Sequence, residues 1–165
     1  MDFRIDVNHN NEIKILQITD MQIIDATQRR YEERLKPEAI ASCIPEKNEE
    51  NVYSHIRYLI RETNPDLIMI TGDITYGEFD DSGRTQMELI AFMESFEIPW
   101  AVVYGNHDNE TYKGIDWQCE QYSKAKHCIF ERGNVSGNSN YTIGIYQNNE
   151  LKKVLYMMGF DTRLD

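Results

Sequence analysis

The sequence predicts an α/β fold in which a parallel sheet carries helices on its faces. Three observations lead there. Apolar runs of strand length recur at 13–19, 66–71 and 98–105, amphipathic helical stretches separate them, and each run stops abruptly at a turn carrying Asp, Asn or His. Strand, helix, strand, helix, strand implies parallel pairing through right-handed crossovers.

The elements follow in order. "IKILQIT" is a short apolar run bounded by polar residues, as a buried strand requires. The polar stretch 20–45 is long for a connection inside a compact domain, and loops of that length are functional or disordered. From about Glu46 the pattern turns helical, with Val52, Ile56, Leu59 and Ile60 on one face. Pro65 ends that helix by pushing Asn64 out of the helical region. "DLIMIT" is the second strand. The segment 80–97 reads as a helix with Leu89, Phe92, Met93 and Phe96 spaced i, i+3, i+4, i+7. "IPWAVVYG" is the third strand, and a weaker helix follows between Ile115 and His127. "NYTIGIYQNNELKKVLYMMGF" is a hairpin, two alternating runs around Gln147-Asn148-Asn149. With no repeat, low-complexity tract or linker, the 165 residues read as one domain, 1–165.

The composition, 41% hydrophobic and 27% charged, is that of a soluble globular protein. The net charge of −11 repels polyanions, which argues against nucleic acid or an anionic membrane as partner. A phosphate substrate stays open, because bound metal ions invert the sign of one cleft. Cys43, Cys119 and Cys128 are odd in number and lack metal-type spacing, so they read as reduced thiols of a cytosolic protein. The stretch "MDFRIDVNHNNEIK" lacks the apolar core of a signal peptide. No apolar run approaches the roughly 18 residues of a membrane span. The expected location is the cytoplasm. No motif sets an oligomeric state.

The strand ends carry the chemistry. The first strand ends in Thr19-Asp20, the second in Gly72-Asp73 and the third in "GNHD", Gly105 to Asp108. Ligands of parallel sheets bind outside the carboxyl ends of the strands. Neighbouring strands lie about 4.8 Å apart, so these groups converge. Carboxylates held that close raise one another's pKa unless something positive intervenes. Hard or borderline metal ions suit a set of carboxylate, amide and imidazole donors. Taken singly, Asp20 reads as a turn or helix cap and Asp73 as a plain turn, but turn chemistry gives no reason for His107. A Rossmann-like nucleotide binder is disfavoured, since no Gly-x-Gly-x-x-Gly or Gly-x-x-x-x-Gly-Lys follows any strand.

"TD", "GD" and "GNHD" at these spacings resemble the calcineurin-like metallophosphoesterase superfamily. The resemblance implies an α/β architecture of layered β-sheets with flanking helices, four layers in the order α/β/β/α. It also implies hydrolysis of a phosphate ester at two metal ions with a bridging hydroxide. By motif, Asp73 bridges both metals, Asp20 binds one, Asn106 binds the other, and His107 assists the leaving group. Asp108 is then a candidate to orient the His107 ring. Most of the superfamily has Asp-x-His at the first motif, where this chain has Asp20-Met21-Gln22. Purple acid phosphatases also lack that histidine and supply a metal-bound tyrosine from Gly-Asp-x-x-Tyr. "GDITYG" places Tyr76 there, with a Gln22 carbonyl as a weaker alternative ligand. A phenolate favours a ferric ion, so the implied centre is Fe(III) beside a divalent iron, manganese or zinc.

The family draws further ligands from two later histidine motifs, the last of them Gly-His-x-His. His9, His55 and His127 sit in no such motif and read as structural or solvated. The chain stops at "GFDTRLD", where the family continues, so the expectation is the amino-terminal portion of the fold, incomplete at its C-terminus. The alternative function is a truncated, non-catalytic domain that binds metal weakly or serves as an oligomer subunit, with an apolar sheet edge exposed. Arg29 and Arg30, in the long loop, are candidates to contact an anionic substrate or simply a solvated loop face.

Overall fold

The central strands are apolar on both faces, which places them inside. The computed structural model describes residues 1–25, 27, 36–38, 41 and 48–159. Its first sheet is parallel throughout, in the order β2 (Ile15–Ile18), β3 (Leu67–Thr71), β4 (Trp100–Val103), β5 (Cys128–Ile129). Leu67, Ile68 and Ile70 of β3 are fully buried, as are Trp100, Ala101 and Val102 of β4. The three strands anticipated from sequence are present and adjacent. The two-residue β5 had no recognisable pattern of its own.

Among the connections between these strands lie α1 (Asn48–Thr63), α2 (Arg84–Glu94) and α3 (Gly114–Lys124). They lie side by side. Tyr53 of α1 meets Phe92 of α2 with ring centroids 4.8 Å apart, and α3 presents Trp117 beside Gly83, just ahead of α2. Ile56 and Ile60 of α1, Leu89 and Met93 of α2, and Cys119 and Tyr122 of α3 are their contributions to the core. Asn64 takes a left-handed φ of 44° after α1 and donates its N–H to Ile60 O, a C-terminal cap that completes the stop set by Pro65. The second helix is shorter than its sequence pattern. Asp80 accepts the Gly83 N–H at 2.8 Å, so 80–83 form a turn, and Glu97, at φ 55°, lies beyond the helix end.

The second sheet has the order β1 (Phe3–Val7), β6 (Ser139–Gln147), β7 (Glu150–Gly159), with β1 parallel and β7 antiparallel to β6. The hairpin is the one read from sequence. Asn148 and Asn149 at φ 55° and 61° make the two-residue turn whose twist matches the strands. β1 was not anticipated. Its Ile5 and Val7 join Tyr141, Ile143, Ile145 and Met157 against the first sheet, while Arg4 and Asp6 point outward.

Tyr141 fastens the two sheets. Its hydroxyl accepts the Val102 N–H at 3.0 Å and lies 2.7 Å from Val102 O and 2.8 Å from Ile129 O. The ladder between β4 and β5 runs only to the pair Ala101–Ile129, so the phenol occupies the next ladder position. Helices, parallel sheet and mixed sheet thus give the layered α/β architecture expected. Leu151, Tyr156 and Met158 on the edge strand β7 are exposed, at 46%, 70% and 62%. No helix among the described residues is long and apolar enough to cross a membrane. Cys119 and Cys128 are free thiols. The expectations for Arg29, Arg30 and Cys43 lie outside the described residues.

Candidate functional site

The chain leaves β2 and β3 in step, so their carboxyl ends stay neighbours beyond the regular ladder. Asp20 N–H donates to Gly72 O, Gln22 N–H to Asp73 O, Ile23 N–H to Ile74 O and Tyr76 N–H back to Ile23 O. Asp20, Gln22 and Asp73 hold positive φ values of 53°, 42° and 47°. Such left-handed residues cost on the order of 1 kcal/mol or more each and gather at functional sites.

The ends of β3 and β4 meet through two glycines. A Cβ on Gly72 would come within 2.9 Å of the Gly105 backbone, and a Cβ on Gly105 within 2.2 Å of Asp73 Oδ1. Hence the "GD" and "GNHD" turns interlock only with glycine at both positions. Asp73, buried, accepts the His107 backbone N–H on Oδ1 at 3.0 Å. The Tyr76 ring stacks on the His107 imidazole, centroids 5.1 Å apart and planes 15° apart. Asn106, next to His107 in the chain, is exposed, and no hydrogen bond of its side-chain amide is formed among the described residues. Asp20 is exposed at the same edge, accepting Thr19 Oγ1 at 2.5 Å. Gln22 instead lines a cleft of about 350 Å³ against Glu49, Val52 and His55 of α1.

Asp108 does not orient the imidazole. Its side chain is fully buried and turned backward, where it accepts N–H groups of Ile74 (2.8 Å), Thr75 (3.2 Å) and Gly105 (2.7 Å). Burial pushes its carboxyl up to about 6, against those three bonds. The partner of His107 is Glu110, whose Oε2 lies 2.8 Å from Nδ1. That bond, outweighing partial burial of the ring, raises the His107 pKa above its ordinary value. The only sequence signal for Glu110 is its place three residues after His107.

The other histidines are elsewhere. His9 pairs with Asp66 at 2.7 Å, His55 is exposed on α1, and His127 sits on Glu94, which accepts its backbone N–H at 3.0 Å. Each has a carboxylate partner or faces solvent.

The donor set suits metal ions in kind. Two carboxylates, an amide and a phenol are hard ligands, and neither Asp20 nor Asp73 pairs with a Lys, Arg or His side chain among the described residues. It is short in number. Among the described residues no three His, Cys, Asp or Glu side chains gather to hold a metal. Asp20, Asp73, Asn106 and Tyr76 thus offer donors of a suitable kind, but among the described residues too few to enclose a metal ion.

Comparison with known proteins agrees with this geometry. The family model described as calcineurin-like phosphoesterase matches residues 13–161. "Probable inactive purple acid phosphatase 29" of Arabidopsis thaliana is 33% identical over 104 residues, 62% of this chain and 25% of that protein. "Probable inactive purple acid phosphatase 28" of the same plant is 34% identical over 99 residues, 59% of this chain and 24% of the relative. "Phosphatase DCR2" of Saccharomyces cerevisiae is 26% identical over 156 residues, 89% of this chain and 26% of that protein. The aligned region is about a quarter of the length of each. No solved structure matches significantly. A parallel sheet whose ends converge on Asp20, Asp73 and Asn106-His107, matched over nearly its whole length, makes this chain a member of the calcineurin-like phosphoesterase family.

Proposed function

We propose that the protein hydrolyses phosphate esters at the shared edge of β2, β3 and β4, with metal ions held by Asp20, Asp73, Asn106 and Tyr76. The observation that carries this reading is the joining of Asp73, Tyr76 and His107, by a hydrogen bond and a ring stack, across two strand ends. Metal ions bound there would supply Lewis acidity, neutralise the phosphate charge and activate water. This suits a chain of net charge −11, whose own surface repels a phosphate. His107 then serves as the general acid toward the departing oxygen.

The full-length gene product is tested with a chromogenic phosphate ester under iron, manganese and zinc. Hydrolysis abolished by chelation is expected, and no turnover with any of the three sinks the reading. The finer assignment, Fe(III) beside a divalent metal, rests on Tyr76. Iron-loaded protein should show a tyrosinate-to-iron charge-transfer band that Tyr76→Phe removes without unfolding the chain. A colourless iron-loaded protein overturns the ferric assignment alone. The free thiols of Cys119 and Cys128 support a reducing, cytoplasmic setting.

A second reading is a non-catalytic domain that binds metal weakly or assembles with copies of itself. Two observations favour it: no gathering of three His, Cys, Asp or Glu ligands among the described residues, and the exposed apolar side chains of β7. Weak metal retention without turnover, together with association in light scattering, would select it.

A further inference from the structure

We infer that Glu110 is the positioning residue for His107, fixing the imidazole so that Nε2 is the nitrogen offered to the departing oxygen; this rests on the phosphoesterase reading above. His107 and Glu110 open and close one short 3₁₀ turn, His107–Glu110. Side chains three apart eclipse in that geometry, which brings Glu110 Oε2 to 2.8 Å from Nδ1. Asp108, the other nearby acid, is fully buried and committed to backbone N–H groups.

Two further contacts hold the pair in place. The Tyr76 ring covers one face of the imidazole at 5.1 Å, which restricts ring rotation. Gly77 backs the turn: a Cβ there would lie 2.5 Å from His107 O and 2.6 Å from Glu110 Cβ, so only glycine permits this approach. "TYG" of the second strand end therefore supports "HDNE" of the third. A carboxylate at Nδ1 makes that nitrogen the donor and leaves Nε2 for the substrate, the usual way a second partner sets the working nitrogen of a histidine.

The proton balance is simple. As the ester P–O bond breaks, its electron pair leaves with the oxygen, which takes the Nε2 proton of the imidazolium. The ring becomes neutral and keeps its Nδ1 proton toward Glu110, and solvent restores the Nε2 proton after release.

Leaving-group dependence separates this role from a structural one. Alkyl phosphates need the departing alkoxide protonated, whereas nitrophenolate leaves unaided. In the metal-loaded full-length gene product, Glu110→Ala should lower kcat for an alkyl phosphate by about tenfold or more, with KM unchanged and the nitrophenyl ester within about twofold. Glu110→Gln keeps an acceptor oxygen at Nδ1 and should retain most of the alkyl-ester rate. Equal losses on both esters, no loss on the alkyl ester, or no rescue by Gln overturns the assignment while leaving the phosphoesterase reading intact. A wild type inactive on both esters overturns that reading, and this inference with it. An independent arm needs no turnover. Nitrogen-15 NMR of the chain at alkaline pH should find the neutral His107 ring protonated at Nδ1, shifting toward Nε2 in Glu110→Ala. A wild-type ring protonated at Nε2 overturns the inference directly.

Discussion

Asp108 and Glu110 are both acids within three residues of His107, yet they do different work. Asp108 is a structural anchor that ties the "GD" and "GNHD" turns together through three backbone N–H groups. Asp108→Asn replaces one acceptor oxygen with an NH₂ that faces donors. Chemical denaturation should find it less stable by about 1–3 kcal/mol. A change below a few tenths would mean that these bonds are not formed. The sequence singled out Asp20, Asp73, Tyr76, Asn106 and His107 as candidates through the family motifs they resemble, since turn chemistry alone gives no reason for His107. It did not distinguish Asp108 from Glu110. That choice is made by the 3₁₀ geometry, which sends residue i+1 inward and aligns residue i+3 with i, and composition does not reveal the turn type.

Among the elements, β3, β4, the three helices and the β6–β7 hairpin were legible because each has a strong period or a continuous apolar run. β1 was not, although Phe3, Ile5 and Val7 alternate with Arg4 and Asp6. Its two charged residues dilute an apolar signal only five residues long, and its partner β6 lies far along the chain. β5 has two residues and exists because β4 offers a free ladder edge. The same edge explains the role of Tyr141. Tyr141→Phe keeps the ring against Phe3 and Phe130 but leaves the buried Val102 N–H without its acceptor. The expected loss of stability is about 1–3 kcal/mol, with the site geometry unchanged. A neutral substitution would show that water replaces the phenol there.

Across the whole molecule, Arg84 at the start of α2 links three segments. Its Nε donates to Asp25 (3.0 Å) in the chain beyond β2, Nη2 to Glu49 (3.0 Å) of α1 and Nη1 to Glu88 (2.8 Å) on its own helix. Burial works to raise the Asp25 carboxyl, but Arg84 and Thr27 outweigh it and hold it below its ordinary value of 3.8. A depressed acid stabilises the fold above its unfolded pKa, and that stabilisation is lost as pH falls through the folded one. Glu49 has the opposite sign, since burial raises its carboxyl. Thermal melts of wild type and Asp25→Asn should therefore differ most near neutrality and converge below the ordinary carboxylate range. A constant difference would place Asp25 outside the linkage. At this scale lies also the proposal that this edge of the sheet is a metal centre built around Asp73. Metal content of the full-length gene product after equilibrium dialysis against manganese or zinc, compared between wild type and Asp73→Asn at matched circular dichroism, tests it most directly. The expected result is metal retained by wild type and lost from the folded variant. Equal metal content in the two proteins, or none in wild type, would contradict it.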